Sequence, residues 1–193
     1  YLSTDTRLPD DDFYRLVACA APASGSCQKD IVRWSPADAQ DVSVGIVKVA
    51  DGYPSHLVQT IDAALDVAIS EVNAAGANLR LTRSELSTIP DVGIHLLDIV
   101  EGEKIIGTGL DPLDGQVIEA AKAQLWWRGD LSLIEGAIVF GTDVDPDEVA
   151  SIMLEEVTQT MGLLTDIGGS YYQSRSIFSE TSNQLTRLGR QDV

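Results

Sequence analysis

Hydrophobic residues recur at helical spacing in two parts of the chain. The longer pattern runs from about Ser55 to Ala75 and is followed by Gly76, a residue typical of helix ends. The shorter one runs from Asp145 to Gly162, with Val149, Ala150, Met153, Leu154, Val157 and Met161 on one broad face. Both patterns predict helices that each bury one side against a core.

Short segments rich in β-branched residues predict the strands. We expect strands at residues 31–34, 42–49, 78–83, 94–100, 124–128 and 135–140, with 124–128 at a sheet edge and 135–140 central. Residues 117–123 are predicted to form a helical turn, and residues 13–20 an apolar segment of undetermined type. The glycines of residues 101–116 lack the strand-to-helix context of a phosphate loop, so we interpret this stretch as a surface loop.

The start of the shorter helix carries capping signals. Asp145 can cap the first turn, Pro146 suits the first helical position, and Glu148 can complete a capping box. The neighbouring acids also suggest a calcium loop, but an EF-hand needs Gly and Glu where this chain has Glu148 and Leu154. Helix capping is therefore the interpretation that we favour.

The order of elements predicts one α+β domain over residues 1–193. We expect a twisted, mostly parallel sheet with an antiparallel edge strand, packed on two long helices and followed by a short helical or irregular C-terminal part. The sheet and helices would occupy residues 41–166, between an N-terminal extension at residues 1–40 and a C-terminal part at residues 167–193. A helix beginning near Leu185 is expected to continue beyond Val193.

Charge narrows the range of partners. The chain has 13 Lys and Arg against 30 Asp and Glu, a formal charge of -17, which argues against nucleic acid and anionic membrane surfaces. A ligand attracted by charge should be cationic. No apolar run approaches the roughly 20 residues that span a bilayer. Because the chain begins at Tyr1 without an initiator Met, we expect a processed form whose targeting segment lies upstream.

Cys19 and Cys27 are the only cysteines, and a short flexible segment separates them. They can pair as a disulfide or stay as two thiols, since nothing near them resembles a metal or redox motif. We favour the disulfide, which points to an oxidising compartment.

The end of the shorter helix carries the main candidate site. Residues 155–166 overlay the zinc-peptidase pattern H-E-x-x-H-x-x-G-x-x-H/D, in which histidines bind zinc and the glutamate activates the metal-bound water. Glu156 and Gly162 keep their places. The ligand positions hold Glu155, Gln159 and Thr165, with Asp166 one residue late. An amide and a hydroxyl are weak zinc ligands, so the pattern indicates a zinc motif that has lost its metal.

Two simpler interpretations stay open. Amphipathic helices that end in Gly are common, and adjacent glutamates are usually a solvated flank. A buried Glu156 could also hydrogen-bond the side chain of Tyr171 or Tyr172 and have a purely structural role. Of the two histidines, His56 and His95, neither has a partner at metal spacing, and we expect neither to be catalytic.

Two later features extend the match to zinc peptidases. Residues 171–178 resemble the Tyr and Ser-Ile-Met of the metzincin Met-turn, with Phe178 in place of methionine. Together with residues 15–19, 32–34 and 155–163, this segment resembles an uncharacterised family of proteobacterial secreted proteins and lipoproteins, a domain of unknown function similar to metzincins. The resemblance implies a zincin-like fold and a secreted, periplasmic or cell-envelope location in a Gram-negative bacterium, but no established activity.

The zincin-like fold that the resemblance implies has a cleft beside its edge strand, and we expect the same cleft in this chain. Trp126 and Trp127 alternate along the strand, so one would pack inward while the other could line the cleft, with core packing of both as the alternative. We expect a peptide or protein as the occupant of the cleft. Tyr171 and Tyr172 are the other cleft candidates.

Three functional hypotheses remain. The first is a catalytically inactive peptidase homologue that acts as a binding or scaffold module, with no zinc cofactor, no nucleic-acid partner, no transmembrane span and a possible lipid anchor upstream of Tyr1. The second is a hydrolase with altered machinery, in which Glu155, Glu156 and Asp166 hold calcium or magnesium, or Glu156 acts as a general base without a metal. The third is a retained but unusual zinc site. We favour the first because imidazole donors are missing.

Overall fold

The computed structural model describes residues 1–85 and 88–193 as an α+β arrangement. Its elements in chain order are β1 (Leu2–Ser3), α1 (Asp10–Cys19), β2 (Val42–Val49), α2 (Ser55–Ala74), β3 (Leu81–Arg83), β4 (Val92–Leu96), β5 (Ala121–Trp127), β6 (Leu133–Phe140), α3 (Val149–Gln159) and β7 (Ile167–Gly168). A 3-10 turn at Asp38–Gln40 precedes β2. None of the helices within the described ranges has the length and apolarity needed to cross a membrane.

The main sheet has five strands in the order β3-β2-β4-β6-β5. The strands β3, β2, β4 and β6 run parallel to their neighbours, and β5 lies antiparallel to β6 at one edge. The sequence-based prediction of a mostly parallel sheet with an antiparallel edge strand is therefore confirmed. The outer side of the β5 backbone pairs with no other strand within residues 1–85 and 88–193.

The helices α2 and α3 pack against each other on one face of the sheet. Alternate strand residues such as Ile94 and Ile138 point to this face and meet buried side chains of the two helices, among them Leu65 and Val157. The helical spacing in the sequence thus identified the buried faces correctly. The second helix is shorter than expected, because α3 spans 11 residues.

The opposite face of the sheet is covered by residues 97–118, and this corrects the interpretation of residues 101–116 as a simple surface loop. Six buried apolar residues form a separate small core there: Leu97, Ile105, Leu113, Ile118, Ala137 and Val139. The loop is held in shape by Asp114, whose carboxylate accepts hydrogen bonds from the Thr108 backbone N–H and hydroxyl. Its apolar residues are therefore structural, and β4 and the last five residues of β6 are buried on both faces.

Three local predictions are wrong. Residues 31–34 form no strand and contribute only a single bridge from Arg33 to Ser132. Residues 117–123 form no helical turn, because Ala121 to Ala123 already belong to β5 and pair with β6. At the start of α3, Asp145 Oδ1 accepts a hydrogen bond from the Asp147 N–H at 2.9 Å, but no Glu148 capping bond is formed and the helix begins only at Val149.

The N-terminal and C-terminal segments pack on each other. The strands β1 and β7 pair in parallel, and Phe13 of α1 contacts the rings of Tyr172 and Phe178. Residues 13–20 thus belong mostly to a helix, which begins at Asp10. Its acidic first turn is favourable because the N-terminus of a helix carries a partial positive charge.

The C-terminal residues 181–193 contain no helix, so the helix expected from Leu185 is wrong. Asp192 fixes an irregular path instead, since its carboxylate accepts hydrogen bonds from the Ser176 hydroxyl and from the Ile177 and Gly189 N–H groups. A Cβ at Gly189 would lie 1.9 Å from the Arg175 carbonyl oxygen. This close approach of two backbones excludes a larger residue there.

The cysteines form a disulfide between Cys19, the last residue of α1, and Cys27. The loop between them returns to α1, where the Gln28 N–H donates to the Cys19 carbonyl oxygen. The predicted pairing is confirmed. The disulfide holds the segment after Cys27, including Lys29, against the end of α1.

Candidate functional site

A cavity of about 700 Å³ lies between α3 and the edge strand β5. The helix α3 supplies Glu155, Glu156 and Gln159, and the turn after it supplies Asp166. The backbone and side chains of residues 119–124 form the opposite wall. We refer to this cavity as the acidic cleft. Four of the five residues predicted for the degenerate zinc motif are thus brought together in one place.

Glu156 is the most buried ionisable group of the cleft, with 8% of the residue exposed. Its Oε2 atom has no hydrogen-bond partner among the described residues. Burial, followed by repulsion from Asp166, raises the pKa of Glu156 to about 8, while Lys122 and the Ala123 backbone N–H act in the opposite direction. At neutral pH this carboxyl group is therefore mostly protonated, because an ion without full pairing is costly to bury.

Three other acids of the cleft also have raised pKa values. Burial raises the pKa of Glu155 well above its usual value, and repulsion from Glu156 and Asp166 adds to the shift. Burial also raises the pKa values of Asp166 and Glu180. These groups lie close enough to titrate as a coupled set, so the cleft retains protons at a pH where isolated carboxylates would have lost them.

Gln159 and Asp166 are joined directly. The Gln159 side-chain amide donates a hydrogen bond to Asp166 Oδ1 at 2.8 Å. Gly162 makes this possible, because its φ of +102° reverses the chain after α3. A Cβ at Gly162 would lie 2.2 Å from the Val32 carbonyl oxygen, so glycine is required by both conformation and space.

Thr165 does not belong to the cleft. Its side chain is buried, its Oγ1 has no partner among the described residues, and its N–H donates to the Val17 carbonyl oxygen. The following residue, Asp166, faces the cavity instead. At the third ligand position of the zinc motif, it is therefore Asp166 that faces the cavity, although the motif spacing points to Thr165, one residue earlier.

No imidazole or thiolate side chain is among the described residues that line the cleft. Within the described ranges no group of three or more His, Cys, Asp and Glu side chains is arranged to hold a metal. The Gln159 amide nitrogen, which bears hydrogens, is turned toward Asp166, so it acts as a donor to a neighbouring side chain. Zinc sites in proteins are built mainly from imidazole and thiolate ligands, whereas α3 offers the carboxyl groups of Glu155 and Glu156 and the amide of Gln159.

The edge strand offers main-chain groups to the cleft. Residues 121–124 of β5 line the cleft, and the outer edge of β5 pairs with no other strand in the described part of the chain. The free main-chain groups of such an edge belong to alternate residues of the strand. An extended ligand could add to this edge as a further strand.

The predicted aromatic cleft residues lie elsewhere. Trp126 packs against the small core on the other face of the sheet and donates a hydrogen bond to the Asp111 carbonyl oxygen, and Trp127 is 45% exposed. Neither contributes to the walls of the acidic cleft. Tyr171 and Tyr172 border a separate cavity.

The alternative in which Glu156 bonds a tyrosine is not observed. The hydroxyl of Tyr172 accepts a hydrogen bond from the Leu8 N–H and donates one to Gln191 Oε1. It therefore fixes the N-terminal segment to the C-terminal one. Phe178 is buried beside Phe13, so the segment that resembles a Met-turn is a packing element here.

Sequence reasoning missed several residues of the cleft. Glu119, Lys122 and Glu180 line it, together with Lys29 from the segment after the disulfide. Glu119 and Lys122 could have been found by extending the predicted edge strand toward its start. No sequence pattern predicts Glu180 or Lys29 as cleft residues, because only the fold brings them to the cavity.

His95 lies outside the cleft on the strand β4, as expected for a sheet residue. It is buried, and its Nδ1 atom has no hydrogen-bond partner in the part of the chain that the structure describes. Burial and nearby Lys48 lower the pKa of His95, so the neutral form is favoured.

Comparison with known proteins adds no relative. A scan against protein-family models finds no match, and a search of curated proteins finds none. The resemblance to metzincins therefore stays a prediction.

Proposed function

We propose that this protein is a catalytically inactive zinc-peptidase homologue, exported to the cell envelope, that binds an extended cationic peptide segment in the acidic cleft. The observation that carries the proposal is the position of the carboxylate cluster directly beside an edge strand. Edge strands bind extended peptides through main-chain hydrogen bonds, and side-chain pockets next to them select the sequence.

The charge of the cleft favours Lys or Arg in the ligand. Five acidic residues line it against two lysines: Glu119, Glu155, Glu156, Asp166 and Glu180 against Lys29 and Lys122. The pKa values of Glu155, Asp166 and Glu180 are raised, and a ligand cation placed among these acids would favour their ionised forms and lower those pKa values. Binding should therefore release protons and tighten as pH rises through the range in which the cluster ionises.

A hydrolase with altered machinery is the second candidate, and the buried Glu156 is the observation that favours it. A carboxyl group with a pKa of about 8 can donate a proton at neutral pH, as general acids do. The same pKa argues against the role of general base at neutral pH. Such a group alone supplies roughly a hundred- to ten-thousand-fold of rate, so an enzyme would need further stabilisation of the transition state.

The binding proposal is tested by fluorescence anisotropy with a labelled peptide of alternating Lys and Val and with its Glu and Val counterpart. We expect binding of the cationic peptide only. Asp166→Asn combined with Glu180→Gln should weaken it about tenfold or more, because the loss of even one charge-assisted hydrogen bond, worth about 1.5–3 kcal/mol, has at least that effect.

The matched control is Glu101→Gln combined with Asp145→Asn, which removes the same charge at residues outside the cleft. This control should bind the cationic peptide as the unmodified protein does. Glu156→Gln should also leave the affinity largely unchanged, because Glu156 is mostly uncharged at neutral pH. Equal weakening in the control, or equal binding of the two peptides, would contradict the proposal. Peptide hydrolysis that disappears in Glu156→Gln would support the second candidate instead.

A further inference from the structure

A second cavity, of about 530 Å³, is bordered by four arginines: Arg7, Arg175, Arg187 and Arg190. We refer to it as the arginine cavity. The whole chain contains 13 Lys and Arg against 30 Asp and Glu, so four of its 13 basic side chains surround one cavity of a strongly acidic protein. Like charges gathered in this way repel one another unless an anion lies between them.

Three of these arginines have no acidic partner. Arg7 pairs with Asp10 at 2.8 Å, whereas no ion pair involves Arg175, Arg187 or Arg190 among the residues described. The nearby carboxylate of Asp192 accepts bonds from Ser176 and from two backbone N–H groups, so it is already in use. The cavity therefore keeps a net positive charge.

Arg175 is held in place before any ligand arrives. Its guanidinium carbon lies 4.7 Å from the centroid of the Tyr171 ring, and its Nη1 donates a hydrogen bond to the Tyr171 carbonyl oxygen at 2.7 Å. Stacking on an aromatic ring leaves the remaining N–H donors of the guanidinium directed outward. Tyr171 itself rests against the buried Tyr172, which joins the two terminal segments.

We propose that the arginine cavity binds a phosphate monoester. Guanidinium groups match phosphate oxygens with paired hydrogen bonds, and a phosphate monoester carries about -1.5 to -2 charges and three acceptor oxygens. The Tyr171 ring with Leu185 and Leu188 offers apolar surface for the organic part of the ligand. The volume lies within the range of small-molecule sites, about 300–1,000 Å³.

The ligand is a small phosphate ester or a single compact phosphate headgroup, and it is not a long polyanion. The formal charge of -17 over the whole protein repels a long polyanion, whereas a compact phosphate group interacts mainly with the local positive field. Either a soluble phosphate ester or the headgroup of a lipid satisfies this chemistry.

The test uses calorimetric titration with phenyl phosphate for the soluble source. Co-sedimentation with phosphatidylcholine vesicles, with and without phosphatidic acid, serves for the lipid source. The test variant is Arg187→Gln with Arg190→Gln, because both side chains are exposed and form no hydrogen bond in the described chain, so the fold should be kept. The matched control is Arg80→Gln with Arg128→Gln, which removes the same charge away from the cavity.

We expect binding in at least one of the two assays, weakened tenfold or more in the test variant and less than twofold in the control, since charged hydrogen bonds of this type are strong. Binding of phenyl phosphate identifies a soluble ester as sufficient, and binding of phosphatidic-acid vesicles alone identifies the lipid headgroup. Absence of binding in both assays, or an equal loss in test and control variants, overturns the proposal. None of these outcomes depends on the acidic cleft.

Discussion

The side chains of Gln159 and Asp166 are joined by a hydrogen bond of 2.8 Å, although seven residues and the reversal at Gly162 separate them in the chain. The second histidine and the third ligand of a zinc-peptidase motif would occupy about these places. This direct contact between side chains ties the turn after α3 back to the helix.

This contact leads to a prediction about metal binding. The unmodified protein should contain no stoichiometric zinc, whereas Glu155→His combined with Gln159→His should bind about one zinc ion per chain. The double substitution creates two imidazole donors at i and i+4 on one helix face, with Asp166 available as a third ligand. Metal analysis of protein purified without chelator and then exposed to zinc gives the measurement.

The control for this prediction is Gln159→His alone, which offers one imidazole and should stay substoichiometric. Stoichiometric zinc in the unmodified protein would show that the carboxylates and the amide form an unusual but competent site. That result would remove the basis for an inactive homologue.

Glu156 leads to a prediction about pH and stability. Its pKa is raised to about 8 in the folded protein from an unfolded value near 4.5, so the folded state holds an extra proton between these values. The stability contribution of this proton is fully present below about pH 4.5 and is lost as pH rises to about 8. The Glu156→Gln variant should not lose stability over this pH range, because the amide stays neutral. At pH 8 it should be more stable than the unmodified protein by a few kcal/mol.

Urea unfolding at a series of pH values measures this effect. The control Glu101→Gln replaces an exposed carboxyl and should leave the pH dependence of the unfolding free energy as it is in the unmodified protein. If Glu156→Gln destabilises the fold equally at pH 5 and pH 8, then the carboxyl is paired and ionised, and the cleft electrostatics described above are wrong.

Gly162 leads to a prediction about the backbone. Gly162→Ala should lower the free energy of unfolding by about 2–5 kcal/mol, since a side chain there meets both a positive φ and the Val32 carbonyl oxygen at 2.2 Å. Gly76→Ala is the matched control, because Gly76 also has a positive φ but no atom within 4 Å of the added Cβ. It should cost only about 1–2 kcal/mol. Equal losses would show that the chain after α3 does not approach Val32 closely.

The sequence predicted the structure best where buried residues recur at a regular spacing along the chain. The apolar positions of α2 and the alternation in β2 predicted both elements, because burial of one helix face or one strand face leaves a direct trace in the residue order. The site helix and its glycine could be predicted for the same reason.

Other segments were decided by tertiary contacts that the residue order does not record. Residues 117–123 are rich in Ala, Glu and Lys, which favour helix, yet Ala121 to Ala123 form a strand because they pair with β6. Glu180 and Lys29 reach the cleft only through the path of the terminal segments. The placement of Asp166 instead of Thr165 depends on the turn at Gly162, whose direction no local pattern specifies.

The distribution of the three tryptophans has a practical consequence for spectroscopy. Trp34 is buried and its indole N–H donates to the Thr160 carbonyl oxygen just past α3, whereas Trp126 and Trp127 lie away from the cleft. Intrinsic emission from Trp34 therefore reports the integrity of the helix terminus. Trp34 lies outside the acidic cleft, so a red shift of its emission during a titration signals melting of that terminus and should not be read as complex formation.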